Sequence, residues 1–82
     1  MNREKKETLK EIEPVFHQVF SNKKLKITYD TSPNTIKQWD SLAQINLFIG
    51  IEKLLNIKFN VSELAKPKNV GEMIDIIISK KK

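Results

Sequence analysis

A chain of 82 residues with a formal charge of +5, no cysteine and a single histidine rules out several chemistries at once. It has no disulfide framework, no thiolate metal site and no protein thiol for thioester chemistry, and His17 alone disfavours a histidine-rich metal centre or a Ser-His-Asp hydrolase. Gly50 and Gly71 are the only glycines, too few for a phosphate-cradling loop, and the length suits one domain, 1–82, around one modest core.

The opening stretch, Met1 to Glu7, is charged and lacks the apolar centre of a secretory signal, and no apolar run approaches the ~18 residues of a membrane span. The expectation is a cytoplasmic protein without membrane insertion. A first helix is predicted from about Glu4 to Phe20, because Leu9, Ile12, Val15, Phe16, Val19 and Phe20 recur at three- and four-residue steps. Pro14 either kinks this helix or falls in the first turn of a packed part that starts near Glu13. His17 reads as a surface or boundary residue.

A long connection follows, about Ser21 to Gln38. Leu25 to Asp30 alternates like a short strand but has no partner strand in the chain, so it reads as an ordered loop. Leu25, Ile27, Tyr29 and Ile36 are placed to pin it, Thr31 or Ser32 to cap a short turn, and Trp39 to close it with the indole N–H at the rim.

The second helix is predicted from Ser41 to about Leu55, with Asp40 as its N-cap. At about 100° per residue, Leu47, Phe48, Ile51, Leu54 and Leu55 share one broad face, while Leu42, Ile45 and Ile49 lie nearly opposite. So small a domain has little material to bury both. The Leu47 face is assigned to the core and the Leu42 face to partner docking, unless a neighbouring loop covers it. Gly50, in mid-helix, either admits a close neighbour or leaves room in the core. Ser41 falls at the first helical position, where a hydroxyl points outward into the electropositive end of the helix, a natural place for a phosphate. On composition alone, Ser41 is better explained as a second capping residue beside Asp40; the surrounding pattern reverses that.

Ile57 to Val61 reads as an extended segment that plugs Ile57, Phe59 or Val61 into the core. Ser62 is a candidate cap for a short helical turn, Glu63 to Lys66, ended by Pro67. Asn69, with Glu72 three residues on, opens a last helix whose stripe is Val70, Met73, Ile74, Ile77 and Ile78. Lys80, Lys81 and Lys82 read as a solvated helix end that suits the dipole. These elements make an all-α fold: a small four-helix bundle of three main helices plus a short third, with a long loop between helices 1 and 2. The lysines gather in the loop (Lys23, Lys24, Lys26) and on the tail. No helix has the basic face of a nucleic-acid binder, which leaves that function a remote alternative.

Trp39-Asp40-Ser41-Leu42 at the head of the second helix resembles the acyl carrier protein family. Asp40 to Glu52 is similar to the family's second helix, Leu55 to Phe59 to the exit from it, and Asn69 to Asp75 to the start of the last helix. The first helix and loop fit by layout. The resemblance implies that Ser41 carries 4′-phosphopantetheine from coenzyme A and that the thiol of that arm holds an acyl group as a thioester. It implies a non-catalytic chain, a monomer, modified by a separate phosphopantetheinyl transferase. An acyl-loading ligase or acyltransferase and a downstream synthase or transferase would then serve it, without nucleic acid. Asp40 would help engage the transferase, and Leu42, Ile45, Asn46, Ile49, Glu52 and Lys53 would make the docking surface. The chain departs from the family's fatty-acid carriers, which are acidic along the second helix: Glu52 remains, but Asn46 and Lys53 stand where acids often do. That implies a specialised carrier with a dedicated partner, for a secondary-metabolite, lipid or surface-glycan pathway. An aminoacyl carrier, or an adaptor that docks without the arm, remains open.

Overall fold

The computed structural model describes residues 2–81, Asn2 by its backbone alone; Met1 and Lys82 lie outside the described residues. Four helices follow one another: α1 Asn2–Val19, α2 Ser41–Leu55, α3 Val61–Ala65 and α4 Val70–Lys81. Among the described residues there is no strand, and no helix is long and apolar enough to cross a membrane.

α1 runs through Pro14 without a break. Its inward line is Thr8, Ile12, Val15 and Phe16, so the half before the proline packs as well as the half after it. Leu9, Val19 and Phe20 are only partly buried. α1 meets α2 closely at Gly50. A Cβ there would stand 2.7 Å from Val15 Cγ1, so glycine admits a close neighbour and leaves no spare room. α2 buries Ala43, Leu47, Phe48 and Ile51, and α4 buries Val70, Met73, Ile74 and Ile77. Leu54, expected in the core, is 52% exposed. It shares the core-facing arc but lies in the last turn, just before Asn56 ends the helix in the left-handed conformation.

The long connection is an ordered loop. Ile27 and Ile36 are buried and Leu25 is half-buried, whereas Tyr29 is exposed and does not pin it. Polar bonds complete the attachment to α1. The Glu13 carboxylate accepts from the Ile27 N–H at 3.1 Å, and the half-buried His17 donates through Nε2 to the Leu25 carbonyl at 2.6 Å. The loop in turn caps α4. Tyr29 and Thr31 offer their carbonyls, each at 2.8 Å, to the N–H groups of Gly71 and Val70, which have no partner inside their own helix. Asn69 Oδ1 accepts from the Glu72 N–H, but the Glu72 carboxylate returns the bond to Lys68 and not to Asn69.

Two expectations at the third helix are corrected. Its cap is Asn60, not Ser62. Asn60 has extended backbone and exchanges side-chain and backbone bonds with Glu63, a capping box that puts Ser62 inside the helix. Val61, as the first helical residue, is 82% exposed, so only Ile57 and Phe59 turn inward. The tail lysines also do more than meet solvent. Lys80 pairs with Glu63 at 2.7 Å and Lys81 with Glu11 at 3.0 Å, tying the end of α4 to α3 and α1.

Trp39 closes the loop. Its ring is buried edge-on against Phe16, with centroids 5.5 Å apart, and lies 6.1 Å from Phe20. Its Nε1–H donates to Gln44 Oε1 at 2.6 Å, and Gln44 Nε2 donates to the Leu64 carbonyl at 3.0 Å. One amide therefore joins the loop, α2 and α3.

Gln44→Leu leaves the Trp39 N–H and the Leu64 carbonyl without partners, and is expected to cost about 1–3 kcal/mol in urea denaturation. The emission of the single tryptophan reports the change directly. Thr8→Val is expected to stabilise by about 1 kcal/mol, because the buried Thr8 hydroxyl has no hydrogen-bond partner. The Lys80 ammonium, with the Asn60 N–H, holds the Glu63 carboxyl below its ordinary value of 4.5. This stabilisation is complete above 4.5 and fades as the pH falls through the lowered native value. The stability difference between wild type and Lys80→Met is therefore expected to shrink when denaturation at neutral pH is compared with denaturation well below pH 4.5.

Candidate functional site

The site is the head of α2. Asp40 has extended backbone, φ −109° and ψ −170°, and cannot continue the helix backwards. Its Oδ1 accepts from the Ala43 N–H at 2.8 Å, and its carbonyl accepts from the Gln44 N–H at 3.0 Å. Ser41 is therefore the first helical residue, and it is exposed. The N–H groups of Ser41 and Leu42 have no hydrogen-bond partner among the described residues. A hydroxyl and two free amides at the positive end of a 15-residue helix form an anion-tolerant corner.

A cleft of about 590 Å³ opens beside the serine. Trp39, Asp40, Ser41, Gln44 and Ile45 form one wall, and Val61, Leu64, Ala65 and Pro67 the other, with Pro33 at the edge. The lining is mostly apolar, and the Gln44 amide spans from one wall to the other.

Leu42, Ile45 and Ile49 are 66%, 42% and 44% exposed, so no loop covers that face. Asn46 and Lys53 are exposed with them. Glu52 differs. It is half-buried, and its Oε2 accepts from the Phe59 N–H at 2.8 Å, which ties the exit segment to α2. Asp40 and Ser41 sit at the cleft mouth with Ile45, while Ile49 and Lys53 lie one and two turns further along the helix.

Sequence reasoning missed the α3 wall and the Gln44 amide. Asn60 and Glu63, at the same three-residue spacing as Asn69 and Glu72, carried a readable signal for the start of α3. Gln44 carried none, because its two partners lie five and twenty residues away. Among the described residues no group of three or more histidine, aspartate or glutamate side chains is placed to hold a metal ion.

A phosphate-linked prosthetic group fits what is present. The attachment hydroxyl is exposed, the adjacent amides are free to meet a phosphodiester, and the cleft gives the remainder of an arm an apolar wall.

No family model and no curated protein matches the chain. Among solved structures it is similar to the solution structure of the holo acyl carrier protein from Geobacter metallireducens. The two share 42% sequence identity and a TM-score of 0.82, over 90% of this chain and 85% of that one. Identity of this degree over nearly the whole length carries the fold and the family together. With an all-helical bundle, a serine at the head of α2 and this likeness, the chain belongs to the acyl carrier protein family.

Proposed function

We propose that the chain is a specialised carrier that takes a 4′-phosphopantetheine arm on Ser41 and presents an acyl group to a dedicated set of enzymes. The observation that carries this reading is the placement of Ser41, exposed at the first position of α2 and open to the cleft. When bound, the arm supplies the thiol that holds the acyl group as a thioester, which a chain without cysteine cannot supply itself. The chain's own part is positional. Asp40 fixes the helix start, the free amides of Ser41 and Leu42 would hold the phosphodiester, and Trp39 and Gln44 hold the cleft walls in register.

No base within the chain is needed, because a phosphopantetheinyl transferase brings the chemistry of attachment. The chain is thus a substrate and partner of enzymes and not a catalyst. The specialised reading is supported by the charges on α2: its one acidic side chain, Glu52, is engaged by the Phe59 N–H, and its one basic side chain, Lys53, is exposed. A loading ligase or acyltransferase would supply the acyl group, and a synthase or transferase would consume it.

Incubation with coenzyme A, a divalent cation and a broad-specificity phosphopantetheinyl transferase is expected to add the mass of one arm. Ser41→Ala is expected to add none while keeping its helical circular dichroism. An unchanged intact mass of the wild type with several such transferases would sink the proposal. Intact mass of protein isolated from its native host then identifies the acyl group.

A further inference from the structure

We propose that the exposed face beside Ser41 docks partner proteins whose contact surface is apolar and rimmed with carboxylates, so that the cations of recognition lie on this chain. The inference rests on the reading of Ser41 given above. At about 100° per residue, Leu42, Asn46, Ile49 and Lys53 fall along one outward stripe of α2, with Ile45 on its flank. The stripe is apolar at the serine end and cationic at the other.

The charges around it are partitioned by what they already bind. From Asp40 to Lys68 the chain has three carboxylates, and each is engaged internally. Asp40 accepts from the Ala43 N–H, Glu52 from the Phe59 N–H, and Glu63 from Lys80 and the Asn60 N–H. The same stretch has four lysines, Lys53, Lys58, Lys66 and Lys68. All four are exposed, and none makes an ion pair among the described residues. Lys66 stands between Ala65 and Pro67, which line the cleft wall opposite Ser41.

Of the three carboxylates only Glu63 is matched by a cation of its own chain, Lys80, whereas each of the four lysines has three donors to give. With Glu63 offset by Lys80, four lysines stand against Asp40 and Glu52, so the stretch is net positive and steers and orients a partner with a negative rim. The exposed leucine and isoleucines require an apolar centre on that partner, which a nucleic-acid backbone does not provide.

The test uses arm addition to Ser41 as the readout. The probes are a phosphopantetheinyl transferase with a basic carrier dock and a variant of it with the dock arginines and lysines changed to glutamate. The wild-type chain is expected to be modified with the higher kcat/KM by the glutamate variant, and that rate is expected to fall with added salt. The double substitution Lys53→Glu, Lys66→Glu is expected to shift the ratio of the two transferases by about tenfold toward the basic dock. Lys6→Glu on α1 changes the net charge away from the site and is expected to leave the ratio nearly unmoved. A ratio unmoved by the double substitution, or moved equally by Lys6→Glu, overturns the docking proposal alone. Suppression of arm addition by duplex DNA at low salt also overturns it, because the face would then bind nucleic acid. An arm that no transferase adds to wild-type Ser41 overturns the carrier reading and this proposal with it.

Discussion

The contact on which the rest of the structure depends is the seating of Trp39. Its ring packs on Phe16 and lies close to Phe20, and its N–H reaches Gln44, so a single side chain fastens α1 to the head of α2. The buried ring contributes on the order of 2–3 kcal/mol by area alone. The larger effect is positional. Asp40 and Ser41 follow Trp39 directly, so the pose of the indole sets where α2 starts and where the serine hydroxyl emerges. Gln44 carries that constraint onward to the Leu64 carbonyl, which fixes the far wall of the cleft.

The loop between α1 and α2 is ordered for a related reason. Its backbone groups are needed elsewhere. The Leu25 carbonyl and Ile27 amide meet His17 and Glu13 on α1, and the carbonyls of Tyr29 and Thr31 meet the first amides of α4. These bonds leave fewer backbone groups dependent on water, and Ile27 and Ile36 bury enough apolar surface to hold the segment down. The loop therefore both rests on the bundle and completes it, and the tight start of α4 depends on Tyr29 and Thr31, far back in the chain.

Much of this was legible in the sequence, and the reasons are local. The apolar stripes of α1 and α4, the Asp40 cap and the two-faced pattern of α2 are periodic signals, and they placed Ser41 at the first helical position. The exposure of Leu42, Ile45 and Ile49 followed from having too little chain to cover a second face. What was not legible depends on who lies opposite. Thr8 takes a core position because α1 faces its neighbours there, whatever the residue's polarity. Leu54 shares the angle of the core face but lies where the helix is ending. Glu52 looked like a surface acid until the exit segment folded back to present the Phe59 amide. At α3 the expected cap was Ser62. The reciprocal bond with Glu63 decides for Asn60.

The third helix buries no residue completely. It is held by the Gln44 amide, the Asn60–Glu63 box, the Lys80 pair and partial contact of Leu64. Such bonds exchange with water at small net free energy, whereas opening α1, α2 or α4 would expose the apolar core. The bundle thus divides into a three-helix frame around the apolar core and a short wall held mostly by polar bonds. The cleft beside Ser41 lies along the seam between them, so widening it asks only the five residues of α3 to move and leaves the apolar core closed.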